Sequence, residues 1–282
     1  MSGIRLGQVD YINCLPVYHA LEEGLLPLEA ELIKGRPANL NHLFLSGHLD
    51  ATPLSSIEYA RNVDKCIILP GLSISADGRA ESILLFSKVP VTELEGKKVC
   101  LTGSSATGAA LLKVLFDHYY HVDVEFETTV ADLKSMMNRA DGALLIGDKA
   151  MQAHQFVKEG NMPCHVTDLG EAWKQFTGVK MVYAVWVVRK AYANANVEKV
   201  DILSDTLLKA KEIGCGQVPA MVAKARQRTG LPLPVIKDFF NTICHEFTGE
   251  YRKALLTFYD YAYKSGLIDE RVKLRVWGEA CE

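Results

Sequence analysis

Residues 101–108, Leu-Thr-Gly-Ser-Ser-Ala-Thr-Gly, place four hydroxyls and two glycines directly before the helical pattern Ala109-Ala110-Leu111-Leu112-Lys113-Val114-Leu115-Phe116. A β-rich run over 97–101 precedes them, so the segment reads as strand, loop, helix. The first turn of a helix has unpaired N–H groups and the positive end of the dipole, and so attracts anions. Ser104, Ser105 and Thr107 add hydroxyls beside the N–H groups of that turn, Ala106 included. The segment has neither the lysine and spacing of a P-loop nor a dinucleotide fingerprint. It suits a small anion, a carboxylate in particular. The plainer reading of Ser104 or Ser105 is a cap for its own helix.

Three more polar segments stand where strands should end. Asp10–Asn13 follow the run Ile4–Val9, Pro53–Ser56 follow a short apolar stretch, and Gly147-Asp148 follow Gly142–Ile146. In open α/β sheets, ligands sit beyond the carboxyl ends of strands. These segments are therefore expected to converge.

The elements that would carry them alternate. Strands are expected at 4–9, 29–34 and 50–54, with helices at 16–23, 38–46 and from Ser55. Further strands are expected at 67–70 and 82–87, joined by a glycine-containing loop over 71–78. The pattern restarts at Lys97, with strands at 124–126 and 142–146 and a helix at 131–139. A long apolar strand, 181–189, leads to helices at 205–213, 219–228, 235–242 and 249–265. This predicts an α/β protein of two lobes, each a mostly parallel sheet flanked by helices, with a ligand cleft between them. The expected division is 1–86 plus 189–282 for one lobe and 87–188 for the other.

Composition narrows the partners. The chain has 282 residues, 49% of them hydrophobic, and a formal net charge of −3. It shows no basic stripe for nucleic acid, no apolar run long enough for a membrane span and no leader pattern at Met1-Ser2-Gly3. Its seven cysteines are scattered without a CxxC pair, which fits reduced thiols in the cytoplasm. The eight histidines form no metal motif, so no metal is expected. Arg36, Arg79 and His19 read as surface or packing residues, and Trp173 and Trp186 as core. Oligomeric state is not encoded in any of these patterns.

Several segments then occur in a familiar order: Asp10-Tyr11-Ile12-Asn13-Cys14-Leu15-Pro16, Pro37-Ala38-Asn39-Leu40-Asn41 through Gly47-His48-Leu49-Asp50, and Ser55-Ser56-Ile57-Glu58-Tyr59. Leu69–Ile74, Ser82–Ser87, Leu144–Asp148 and Asp168-Leu169-Gly170-Glu171-Ala172-Trp173 follow. The set resembles the chorismate dehydratases of the futalosine route to menaquinone. The resemblance spans nearly the whole chain and weakens after Arg189. It implies a type II periplasmic-binding-protein-like fold, action in the cytoplasm on chorismate and no metal or organic cofactor. It also implies loss of water to give 3-[(1-carboxyvinyl)oxy]benzoate. It places Asn13 and Ser82 in the catalytic site, with the substrate's enolpyruvyl carboxylate proposed as the base.

On that reading Ser104, Ser105, Ala106 and Thr107 bind one carboxylate, and Ser56 does a similar job. Gly147 and Asp148 line the substrate site. Asp148 either orients a hydroxyl, acts as acid or base, or caps a helix, and near two carboxylates it needs a proton or a partner. Ala80-Glu81 depart from the apolar residues expected before Ser82. The alternatives are the sister naphthoate-forming enzyme, whose first-strand segment differs, and a carboxylate-binding protein without chemistry.

Overall fold

The computed structural model describes residues 3–103 and 106–279. It opens with β1 (Ile4–Val9), a 3-10 turn (Ile12–Cys14) and α1 (Leu15–Glu22), where Pro16 suits the first helical turn. Next come β2 (Ala30–Gly35), α2 (Pro37–Leu45), β3 (Ala51–Ser55), α3 (Ser56–Arg61) and the long β4 (Cys66–Ala76). The second stretch comprises β5 (Ile83–Ser87), β6 (Lys98–Thr102), α4 (Ala106–Leu115), β7 (Glu125–Thr129) and α5 (Leu133–Arg139). It continues through β8 (Gly142–Ile146), α6 (Gly147–Lys158), β9 (His165–Asp168) and α7 (Leu169–Thr177). Then follow β10 (Met181–Arg189), α8 (Lys190–Ala195), α9 (Val197–Gly216), α10 (Val218–Thr229), α11 (Leu233–Thr242), β11 (Ile243–Cys244) and α12 (Gly249–Lys264).

Two sheets result. The first has six strands in the order β11-β4-β10-β3-β1-β2, the second five in the order β7-β6-β8-β5-β9. The two-lobed α/β architecture is as expected, but neither sheet is mostly parallel, since only two of five pairings in the first and two of four in the second are parallel. Pairing is parallel within the strand–helix–strand units, β2-β1-β3 and β7-β6-β8. It is antiparallel where strands adjoining the crossings join, at β5 and β10, because the chain enters each sheet from the opposite lobe.

The expected lobe boundaries at 86 and 188 move. β5 belongs to the second sheet and β10 to the first, so the chain crosses at 77–82 and 178–180. The sequence misleads here because β5 is buried on both faces. Ile83 and Leu85 enter the large core that runs through both lobes, while Leu84 and Phe86 enter a smaller one with Cys100, Met136 and Leu145. A continuous apolar run does not say which sheet it joins.

The loop expected over 71–78 is also mostly strand. β4 pairs with β10 in three stretches separated by two register shifts, and Gly71 lies in the second gap, between Ile68 and Ser73, with φ of 69°. The glycine marks a bulge within one strand rather than a loop between two. Trp173 and Trp186 are fully buried, as expected of core residues. His19 is buried and bonded to Gln217.

Candidate active site

The ends of β1, β3, β8 and β5 meet the first turn of α4 around one cavity between the lobes. Val9, Pro53, Ile74, Ile83, Ile146 and Tyr183 make most of the wall apolar. Asn13, Ser55, Ser82 and Thr107 supply its polar side chains. Among the described residues on the wall there is no carboxylate, imidazole, ammonium or guanidinium group.

Asn13 sits in the 3-10 turn that follows β1, and its Oδ1 is buried without a hydrogen-bond partner. That oxygen can accept one more hydrogen bond. The main chain of Asn13 is held from behind. His245, just past β11, donates its Nε2–H to the Asn13 carbonyl at 2.7 Å. A carbonyl only accepts, so that nitrogen carries the proton. Burial pushes the His245 imidazole down to about 4, which keeps the ring neutral.

Ser82 lines the same cavity, immediately before β5. Its hydroxyl donates to the Ala80 carbonyl at 3.2 Å, and its own carbonyl accepts the Gly147 N–H at 2.7 Å. Gly147 has φ of 60°, and a Cβ there would stand 2.8 Å from the Tyr11 ring. Only glycine suits that position without strain. Its N–H is committed to Ser82, so Gly147 shapes the wall rather than binding through its amide.

The segment expected to hold a carboxylate is described in part. Ala106, Thr107 and Gly108 face the cavity at the start of α4, where first-turn N–H groups lack partners within the helix. Ser104 and Ser105 lie outside the described residues. The Thr107 Oγ1 accepts the Ile57 N–H at 3.3 Å, so this hydroxyl also joins α4 to α3.

Two expected residues stand elsewhere. Ser56 is not on the wall. It is fully buried, and its hydroxyl donates to the Val182 and Tyr183 carbonyls at 2.7 and 3.0 Å and meets the Thr107 Oγ1 at 3.4 Å. It fastens α3 to β10 and α4. Asp148 lines a neighbouring recess with Asp10, Arg36, Lys149 and Arg228. Its Oδ1 accepts the Ile12 N–H at 3.1 Å, linking α6 to the turn that carries Asn13. Burial raises its carboxyl above the ordinary range. The residue at the N-cap of α6 is Ile146, not Asp148.

Sequence reasoning missed Tyr183 on the wall and His245 behind it, and did not single out Tyr11 and Ser55 within the strand ends it named. Ser55 was within reach, since it belongs to a strand end already singled out; Asn41 donates to its hydroxyl at 3.1 Å. His245 contacts a residue 232 positions away, and no local pattern marks it.

A family model described as menaquinone biosynthesis matches residues 4–264. A chorismate dehydratase of Thermus thermophilus is 32% identical over 82% of this chain and 84% of its own length. A 1,4-dihydroxy-6-naphtoate synthase of the same organism is 25% identical over 71% of each chain. In three dimensions, the periplasmic aliphatic sulphonate binding protein of Escherichia coli superposes with a TM-score of 0.68 at 15% identity, covering 98% of each chain. That last likeness carries the fold alone. The chain belongs to the menaquinone biosynthesis family, among its chorismate dehydratases.

Proposed function

We propose that the cavity removes water from chorismate to give 3-[(1-carboxyvinyl)oxy]benzoate, with Asn13 and Ser82 at the reacting ring. The observation that carries this reading is the wall itself, which presents apolar surface and amide or hydroxyl groups but no basic side chain among its described residues. A dehydration run there needs a base from elsewhere, and chorismate brings two carboxylates. The enolpyruvyl carboxylate takes the ring proton beside its own ether oxygen. The C–H electron pair becomes a ring double bond, the neighbouring C–O bond breaks, and hydroxide leaves with that bonding pair. The transferred proton and the hydroxide make the departing water, and the ring becomes aromatic.

The protein's tasks are then position and electrostatics. Val9, Ile74, Ile83 and Ile146 flank the flat ring. First-turn N–H groups of α4 hold one carboxylate. Asn13 orients the leaving hydroxyl, its Oδ1 accepting and its Nδ2 donating. The Ser82 hydroxyl turns from the Ala80 carbonyl to the ring carboxylate or the departing oxygen. The two sheets act as lobes that shut water out while this happens. We place the reaction in the cytoplasm, because the described cysteines are unpaired thiols spread through the fold. Among the described residues no helix is long and apolar enough to cross a membrane.

The test is to incubate fresh chorismate with the protein and follow products by mass spectrometry against a protein-free control. Protein-dependent loss of one water, giving the enolpyruvyl-oxybenzoate, is the expected outcome. A ligand that binds and returns unchanged overturns it.

A further inference from the structure

Ser82 is carried by a segment that neither sheet nor helix places. Residues 77–82, the crossing between lobes, form no regular element. Glu81, directly before Ser82, has φ of 59°, and only His121 shares such a value among the described non-glycine residues. A side chain enters that left-handed region at a cost and stays there only where the surroundings enforce it.

The enforcing group is the Asp168 carboxylate at the end of β9. The Ala80 N–H donates to both its oxygens at 3.0 Å, and the Glu81 N–H donates to Oδ2 at 2.7 Å. The same carboxylate caps α7 through the Gly170 and Glu171 N–H groups at 2.9 and 3.2 Å. A cap needs only the last two bonds; the others reach residues 88 and 87 positions back along the chain. Gly170 completes the fit, since a Cβ there would stand 2.3 Å from the Gly78 carbonyl oxygen.

We propose that Asp168 is a positioning residue of the reaction: its carboxylate locks residue 81 into the left-handed turn, and that turn aims Ser82 at the substrate. The proposal rests on the reading of Ser82 given above. It also accounts for Ala80-Glu81 standing where apolar residues were expected, because this stretch is a clamped turn and not the start of a strand.

The test is a series assayed for kcat, KM and melting temperature. Glu81→Gly keeps wild-type kcat, since glycine accepts the conformation freely. Glu81→Val retains the N–H but resists the turn, and kcat falls about tenfold or more at little change in KM, the scale set by misplacing a reacting group. Asp168→Asn lowers kcat comparably, and adding Glu81→Gly to it restores most of the loss. A role confined to capping α7 instead lowers the melting temperature, leaves kcat alone and gives no rescue. Should Asp168→Asn not fold, Glu81→Val, which leaves the α7 cap untouched, decides the matter. Full activity of folded Glu81→Val, or a double variant no better than Asp168→Asn, overturns the proposal. Ser82→Ala separates the two readings. Normal turnover there removes Ser82 from the chemistry altogether, whereas slow turnover beside an unaffected Glu81→Val rejects only the role of Asp168.

Discussion

Asn13 and Ser82 line one cavity, yet the two are held in different ways. Asn13 follows a strand of the first sheet and enters a short helical turn leading into α1, so ordinary backbone geometry delivers it. One neutral imidazole, His245, then fixes its carbonyl. Ser82 lies on the crossing segment, follows a residue at positive φ and depends on a carboxylate that gathers the preceding N–H groups. A site residue at the end of a regular element needs little beyond packing. One on a connection between lobes needs enforced strain and a charged clamp.

The sharpest way to break this comparison is to remove the two side chains. Asn13→Ala and Ser82→Ala should each cost roughly a hundredfold in kcat with the fold kept, the scale of losing one positioned polar group. Near-normal turnover in either removes that half of the comparison. The next effect is that of the neutral anchor. His245→Phe keeps a ring but leaves the Asn13 carbonyl unpaired in a buried place, at about 1–3 kcal/mol of stability. Turnover should fall about tenfold through displaced Asn13. A His245→Phe protein as active as its parent shows that packing alone holds the turn.

The two sides should also answer pH in opposite senses. The imidazole of His245, with an ordinary pKa of 6.5, is pushed by burial to about 4, with Lys211 and Glu246 nearby. The unfolded chain takes up that proton first, so the stability tied to the neutral ring is present above 6.5 and is lost as pH falls through about 4. The carboxyl of Glu81, ordinarily at 4.5, is raised to about 7 by burial and by Asp238, against the pull of Arg79. Its stability is present below 4.5 and is lost as pH rises through about 7. Melting temperature measured against pH separates them. His245→Phe should flatten the acid limb, and Glu81→Gln should raise the melting temperature at pH 8 while changing little at pH 4. An acid limb unchanged in the His245 variant shows that some other group sets it.

The same contrast explains what the sequence revealed. Strand ends were legible because small polar residues follow apolar runs, and Asn13, the 106–107 turn and Gly147 duly share one cavity. The 168–173 segment was legible as a motif, but not the reach of Asp168 to residues 80 and 81, since a carboxylate that caps a helix looks the same whether or not it holds a second segment. Ser56 shows the converse limit. A serine at a strand end reads as a ligand contact, whereas two backbone carbonyls from β10 claim its hydroxyl. Asp50, at the end of another recognisable segment, ties β1 to β10 by accepting from Arg5 and Arg189, at 2.7 and 2.9 Å to Oδ1. Recurrent segments thus mark both chemistry and scaffolding, and only partners distant in sequence separate the two.

The smallest expected effect sharpens the comparison most, because it acts on the join between the two sides. Asp148 belongs to the second lobe and accepts the Ile12 N–H, one residue before Asn13, at 3.1 Å. It lies off the cavity wall, so its removal is expected to act on closure of the lobes rather than on the chemical step. Asp148→Ala loses one hydrogen bond, which is worth about 0.5–1.5 kcal/mol and favours the closed arrangement. Substrate must then supply that energy, so KM should rise a few-fold to about tenfold while kcat stays near wild type. Small-angle scattering should show the variant more open without substrate and indistinguishable from wild type at saturation. A fall in kcat at constant KM would instead mean that the Ile12 contact sets the position of Asn13. The turn after β1 would then depend on a carboxylate clamp from the opposite lobe, just as the crossing segment does, and the distinction between the two sides would vanish.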